Sequence, residues 1–359
     1  MLDFMGKLHA EKNTSPFATA LAEWFRAAAR DLPWRRTRDP YRIWLSEIIL
    51  QQTRVEQGLP YYEKFVERYP TVKHLALAPD DDVFRLWEGL GYYRRAKNML
   101  CAARIVVEKY AGRFPSSYDE LLKLPGIGPY TAAAVASFAF DEAVAVVDGN
   151  VARVLARFSG YAGAINTGSG PKDLQALADR FLDRRHPGRH NQAVMELGAL
   201  VCTPRNPRCE ICPLKTGCRA YAEGRTGELP VKKAARPVQN RRMDYLLSIK
   251  DGRLSVQKRT ANDIWQNLYQ FPLLEGLPES RQQAARRLQM EFGLKKIPVW
   301  AGEATHLLTH RRLLLRFWMT AEKLDGYEYV PLDRLEGLSF PIVLRRFLAG
   351  KKISPNFEF

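Results

Sequence analysis

Residues 124–150 read LPGIGPYTAAAVASFAFDEAVAVVDGN, and the opening LPGIGPYT decides how the chain folds. Gly126 and Gly128 bracket one apolar residue, and Pro129 stands where a helix would begin. Glycine takes positive φ without strain and proline is preset for a first helical position, so the spacing predicts helix, tight turn, helix. Such a turn points backbone N–H groups outward at a helix N-terminus, where a phosphate can sit; the same turn also serves as a plain helix connection. Asp148 follows the apolar run 143–147 and precedes a helical pattern from Val151 to Phe158. It reads first as an N-cap, with a catalytic anion as the alternative.

Outward from this unit the first half of the chain is helical. Phe17, Leu21, Trp24, Phe25 and Ala28 recur at helical spacing and predict one buried stripe. Asp39 and Pro40 read as an N-cap and a first-turn proline, opening a helix through about Gln52. On it Glu47 has Ile43, Trp44 and Leu50 three or four positions away, so a carboxylate lies along an apolar face. Either it reaches solvent at the stripe's edge, or burial raises its pKa until it can donate a proton near neutral pH. Further helices are predicted over 61–69, 80–88, 93–110, 129–140, 172–185 and 191–201. Ser117 stands three residues before Glu120, a capping-box signature for the hairpin's first helix.

Four of the five cysteines, Cys202, Cys209, Cys212 and Cys218, have the spacing C-x6-C-x2-C-x5-C. Four thiolates so placed close a tetrahedral cage around zinc or an iron–sulfur cluster, and spacing alone does not separate the two. Arg205, Arg208, Lys215 and Arg219 interleave with them and suit phosphate contact. The whole chain carries 55 Lys and Arg against 39 Asp and Glu, a formal charge of +16 that favours a polyanionic partner. No apolar run approaches the roughly 18 residues of a membrane span, and the N-terminus lacks a signal-peptide pattern. These features predict a soluble, cytoplasmic, nucleoid-associated protein, a monomer with no membrane partner.

The residues 30–220 resemble the MutY family of adenine DNA glycosylases, of the helix-hairpin-helix superfamily. DLPWR, SEIILQQTRVE, EGLGYY, LPGIGPYT, VDGNV, HNQAVMELGALVC and the four-cysteine loop carry the resemblance, in family order. It implies a [4Fe-4S] cluster on the four cysteines and a duplex DNA substrate in which adenine is mispaired with 8-oxoguanine or guanine. It implies a catalytic set of Glu47, Asp148, Tyr130 and Asn150. Glu47 would protonate the departing base, Asp148 would stabilise or trap the oxocarbenium ion, and Tyr130 would orient Asp148 and the sugar. Trp34, Arg35 and Gln192 match positions lining the adenine pocket. Gln51, Gln52, Thr53, Leu90 and Tyr92 match the base-flipping wedge and the contacts to the lesion strand, and Gly126 and Gly128 the grip on the backbone. Where enzymes similar to endonuclease III carry a Schiff-base lysine, this chain has Tyr130, so a monofunctional glycosylase is expected. Thymine mismatch glycosylases can share this tyrosine, and a non-catalytic iron–sulfur DNA-binding protein could share the scaffold; these are the alternatives.

The composition then shifts. GELPVKKAARPVQNRR, from Gly227 to Arg242, is a basic, proline-containing linker. Tyr245 to Ile249 and Leu254 to Lys258, joined by Asp251-Gly252, read as a hairpin; Ser280 to Phe292 reads as a helix, and 300–319 contains strand-like runs. DIWQNLYQFP and AARRLQMEFGL resemble the Nudix-like domain of the same family, the second as a Nudix box in which Arg287 and Met290 replace two acids. Since those acids hold magnesium in Nudix hydrolases, nucleotide hydrolysis is expected to be lost. Leu308, Thr309 and His310 match the loop that inspects 8-oxoguanine. The expected architecture is multi-domain: an all-α glycosylase domain over 1–225 including the cluster loop, a linker over 226–240, and an α+β Nudix-like domain over 241–359.

Overall fold

The computed structural model describes residues 15–234, 237–276, 280–308 and 310–351; Thr309, matched above to the inspection loop, lies outside them. The helices of the first part are α1 (Pro16–Ala28), α2 (Pro40–Leu50), α3 (Val55–Arg68), α4 (Val72–Ala76), α5 (Asp80–Leu86), α6 (Arg94–Tyr110), α7 (Tyr118–Leu121), α8 (Pro129–Phe140), α9 (Gly149–Ser159), α10 (Gly170–Phe181), α11 (Pro187–Leu200) and α12 (Arg219–Ala222). A mixed seven-stranded sheet with α13 (Arg281–Glu291) and α14 (Ile342–Lys351) follows. The fold is therefore a helical domain followed by a sheet-containing α+β domain. By contacts the chain separates into two compact units. One takes in residues up to Gly58, Tyr69–Lys73 and Cys101–Ala234; the other takes in Leu59–Arg68, His74–Leu100 and the residues after Ala234.

In the first unit Phe17, Leu21 and Phe25 of α1 pack with Val154, Leu155, Leu174, Ala178, Val194 and Leu197 of α9, α10 and α11. Helix α8 is buried from Thr131 to Ser137, and its alanine-rich surface lets α2 and α11 both pack closely on it. Gly198 does the same between α11 and α9: an added Cβ would lie 2.6 Å from Asn150 Cβ and 2.9 Å from the Asn150 carbonyl oxygen. In the hairpin, Gly126 takes the left-handed conformation at φ 76°, whereas Gly128 is the extended N-cap before Pro129. Ser117 caps α7 by accepting from Glu120 N at 3.3 Å. Glu120 turns its carboxylate to Lys123 and to the Tyr110 hydroxyl, so only half of the expected box forms.

Several helix boundaries differ from the sequence expectation. Helix α3 begins at Val55, six residues before the expected start at 61, and carries Pro60 inside it. The missing N–H costs one helical bond; burial of Tyr62 and Phe65 on the following turns outweighs it. Helix α10 starts at Gly170, two residues before the expected start, and ends at Phe181, short of Arg185. Helix α11 starts at Pro187, whose fixed φ suits the first helical turn.

In the second unit the sheet order is β3 (Tyr269–Gln270), β2 (Arg253–Lys258), β1 (Gln239–Lys250), β6 (Arg311–Thr320), β5 (Val299–Leu307), with β4 (Leu273–Gly276) on β1 and β7 (Glu328–Pro331) on β2. β1 and β6 run parallel from Gln239 opposite Arg311 to Ser248 opposite Thr320, and the expected β1–β2 hairpin forms with Ile249 opposite Leu254. Alternation sorts the two faces. Met243, Tyr245, Leu247, Leu313, Leu315 and Phe317 join Phe340, Val343 and Leu344 near α14, while Leu246 and Trp318 pack against Ala284, Ala285 and Leu288 of α13. Asp244 is buried on this second face, and Arg316 (2.6 and 2.7 Å) and Trp318 Nε1 (3.0 Å) satisfy it. Ser280 and Gln283 form a complete capping box at the start of α13.

Candidate active site

The site begins with the anomaly on α2. From Ile43 to Ile49 every side chain is buried, and Glu47 among them is 5% exposed. The Tyr130 hydroxyl, one residue into α8, donates to Glu47 Oε2 at 2.5 Å. Burial pushes the Glu47 carboxyl up to about 7, the neighbouring Asp148 charge adds to this, and the bond from Tyr130 and the charge of Arg35 only partly oppose it. The hydroxyl of Tyr130, expected to orient Asp148 and the sugar, is bonded to Glu47 in this structure.

Asp148 is the N-cap of α9. It accepts from Asn150 N at 2.9 Å, Val151 N at 2.7 Å and Asn150 Nδ2 at 2.8 Å. Burial raises its pKa above the ordinary carboxylate range, while these three donors and the charge of Arg153 pull it back. The two buried carboxyls thus differ in environment. Glu47 receives one phenol, whereas Asp148 receives three N–H donors at a helix N-terminus, which favour its anion.

Both acids line one cavity of about 370 Å³, together with Trp34, Arg35, Thr53, Tyr130, Asn150 and Gln192. Gln51 turns aside, donating to Thr131 Oγ1 at 3.2 Å, and Gln52 is exposed with φ 55°. Gly128 has open space where a Cβ would stand. In the second unit Leu90 is buried and Tyr92 is 48% exposed. Tyr92, Leu308 and His310 line a separate cavity of about 450 Å³ with Trp265 and Arg311, and Leu90 stays out of it.

Sequence reasoning passed over Arg30, Glu196 and Asn191. Glu196 is 1% exposed, and burial alone would raise its pKa. Bonds from Arg30 (2.8 Å to each oxygen) and from Arg35 Nη2 (2.8 Å) outweigh that and hold it at about 2. The available signal was the one that marked Glu47: an acid on a helix among Ala193, Val194, Leu197 and Leu200. Asn191 donates to Ser137 Oγ (2.9 Å) and the Val144 carbonyl (2.8 Å) and accepts from Val146 N (3.1 Å), which fixes the extended segment leading to Asp148.

A raised pKa in the fold makes a stability prediction. With the folded value near 7 and the unfolded value near 4.5, the native state holds a proton that the unfolded state has released between those pH values. The carboxyl therefore costs stability increasingly as pH rises to about 7, by up to about 3 kcal/mol. Glu47→Gln is expected to melt higher than the parent at pH 8, with the gain fading towards pH 4.5. A gain of equal size at both pH values would show that the carboxyl is not shifted.

The four cysteines line one small cavity with Arg157, Lys215 and Tyr221. Among the described residues no three His, Cys, Asp or Glu side chains gather closely enough to hold a single metal ion. Four thiols lining one cavity are a donor set that suits an iron–sulfur cluster. Arg157 donates to Cys202 Sγ at 3.3 Å and to the Thr203 carbonyl at 2.7 Å. Arg153 joins the cluster loop to the site, donating to the Cys202 carbonyl (2.7 Å) and to Asn150 Oδ1 (2.9 Å).

Comparison with known proteins places these features. Residues 45–180 match the HhH-GPD superfamily of base excision DNA repair proteins, 202–218 the iron-sulfur binding domain of endonuclease III, and 244–350 the NUDIX domain. The adenine DNA glycosylase of Buchnera aphidicola subsp. Schizaphis graminum is 35% identical over 296 residues, covering 82% of this chain and 85% of the relative. That of Homo sapiens is 44% identical over 213 residues, covering 57% of this chain and 39% of its own length. A thermostable thymine-DNA glycosylase structure superposes with a TM-score of 0.53 at 33% identity, covering 58% of this chain and 95% of that one. The cofactor of the cysteine loop is a [4Fe-4S] cluster, and Cys202, Cys209, Cys212 and Cys218, which line one cavity beside Arg157 and Lys215, would hold it. With a two-acid cavity in a helical repair domain, a cluster loop, and a relative matched along most of its length, the chain belongs to the adenine DNA glycosylases of the HhH-GPD superfamily.

Proposed function

We propose that this protein binds duplex DNA, flips out an adenine paired with 8-oxoguanine or guanine, and hydrolyses its N-glycosidic bond. The observation that carries the proposal is the buried Glu47 carboxyl, shifted to about 7 and opening on the same cavity as Asp148. Bond cleavage leaves positive charge on the sugar and an electron pair on the departing base, so one carboxyl must be protonated and the other ionised. Glu47 supplies its proton to adenine N7. Asp148, whose three N–H donors favour the anion over the neutral acid, faces the oxocarbenium ion and stabilises or traps it. Glu47, now an anion, takes a proton from the water that adds to the sugar carbon and is returned to its starting state. Tyr130 fixes the Glu47 carboxyl, Asn150 fixes Asp148, and Trp34, Arg35 and Gln192 shape the pocket for the base. When bound, the cluster cross-links its four ligands and makes the basic loop rigid.

The division of labour follows. Residues 1–225 perform excision, 226–240 link, and 241–359 inspect the opposite base. The cavity lined by Tyr92, Leu308 and His310 is the place for 8-oxoguanine: tyrosine stacks on a base and the imidazole donates to or accepts from its edge. Single-turnover excision on parallel duplexes carrying 8-oxoguanine·adenine, guanine·adenine and guanine·thymine tests this. Adenine is expected to leave fastest opposite 8-oxoguanine, and His310→Ala is expected to reduce that preference about ten-fold. A preference unchanged by His310→Ala would remove the inspection role, and faster release of thymine than adenine would remove the substrate assignment.

A further inference from the structure

Glu88 opens the EGLGYY turn, and its carboxylate is held from far along the chain. Arg345 on α14 donates Nε to Oε1 at 3.0 Å and Nη2 to Oε2 at 3.2 Å. Its other bonds go to the Leu335 carbonyl at 3.0 Å and the Leu338 carbonyl at 2.5 Å, and its guanidinium lies 5.5 Å from the Phe340 ring centroid. The fork is thus anchored among residues 335–340 independently of its contact with Glu88. The pair is shielded, at 21% and 17% exposure. A planar fork on a carboxylate fixes angle as well as distance.

The turn that Glu88 begins is stiff. Gly89, Gly91 and Tyr92 all have positive φ, at 99°, 71° and 48°. A Cβ on Gly89 would lie 2.5 Å from the Tyr61 hydroxyl, which donates to the Glu88 carbonyl at 2.7 Å. Trp87 Nε1 and Arg95 Nη2 both donate to the Gly91 carbonyl, at 2.9 and 3.2 Å. A shift at Glu88 is therefore passed on to Tyr92 instead of being absorbed. The lining of the 450 Å³ cavity comes from separate stretches of the chain, with Tyr92 and Lys97 from one and Trp265, Leu308 and His310 from the others. Further ties between these segments among the described residues include single-point bonds from Lys97 to Gln266 at 3.2 Å, from the Ser339 hydroxyl to the Asp81 carbonyl at 3.1 Å, and from Lys258 to Asp81 at 2.9 Å with both ends about two-fifths exposed. Such contacts hold weakly.

We infer that the Arg345–Glu88 pair is the positioning contact that sets the spacing of the stretches lining the cavity, and with it the preference for 8-oxoguanine over guanine opposite adenine. The inference rests on reading that cavity as the lesion site. The test uses the full-length, cluster-loaded protein and its Glu88→Gln, Arg345→Gln and doubly substituted variants. The readout is the ratio of single-turnover excision rates on 8-oxoguanine·adenine and guanine·adenine duplexes. Each single variant is expected to lower the ratio by about five-fold, and the double variant by no more than the worse single one, because both remove the same contact. The rate on guanine·adenine and the melting temperature of Glu88→Gln, which keeps the shape of the side chain, are expected to stay close to the parent's. Unchanged ratios in both single variants, or losses that multiply in the double variant, would overturn the inference. So would a parallel fall in both rates, which marks a general structural role. His310→Ala separates the two levels: if it lowers the ratio while the pair variants do not, the inference fails and the lesion-site reading stands. If none of them does, both fail.

Discussion

Glu47→Gln is expected to bind an 8-oxoguanine·adenine duplex as tightly as the parent and to release adenine at least ~10³-fold more slowly. The amide keeps the volume and can accept from Tyr130, so the cavity survives. What disappears is the proton. The parent can carry it up to near-neutral pH, because burial among apolar neighbours raises the carboxyl to about 7. Excision by the parent is accordingly expected to decline as pH rises through 7, and the variant to show no such limb. Band-shift titration and quenched-flow excision on one labelled duplex measure both properties. Substantial single-turnover excision by the variant would end the assignment of Glu47 as the acid.

The second large effect concerns Asp148. Asp148→Asn is expected to cut excision by ~10³-fold or more, because a neutral amide neither balances nor traps a cationic sugar. It also carries a structural cost that can be counted separately. The amide oxygen can still cap α9, but the amide nitrogen would face Asn150 Nδ2, whose own carbonyl is engaged by Arg153. Two donors then meet, which costs about 1–3 kcal/mol of stability. Asp148→Ser keeps the cap without that clash, so a loss of rate common to both variants reports the missing anion. Excision within ten-fold of the parent in either variant would contradict the role.

How legible these residues were in the sequence depends on how local their signals are. The glycine hairpin, the Asp39 cap and the Glu47 anomaly are all readable within one or two helical turns, and the hairpin and cap form where the residues predict them. Asp148 was ambiguous for a physical reason: it is an N-cap, so the capping reading was correct and could not by itself expose a second role. Contacts across long separations left no such trace. Tyr130 meets Glu47 across 83 residues, Arg30 meets Glu196 across 166, and Arg345 meets Glu88 across 257. The same holds for the parallel pairing of β1 with β6, since alternation identifies a strand and its buried face without naming its partner. Helix α3 shows the opposite case: it continues through Pro60 because burial of Tyr62 and Phe65 overrides a strong local rule.

Two buried carboxyls in one cavity are expected to excise adenine without an amine nucleophile. The most direct measurement is the release of free base from an 8-oxoguanine·adenine duplex, followed by gel analysis of the strand before and after alkali, with borohydride present in a parallel reaction. Stoichiometric free adenine, a strand that breaks only after alkali, and no borohydride-trapped protein–DNA complex are expected. Efficient trapping, strand cleavage without alkali, or an adenine left in place would contradict that expectation.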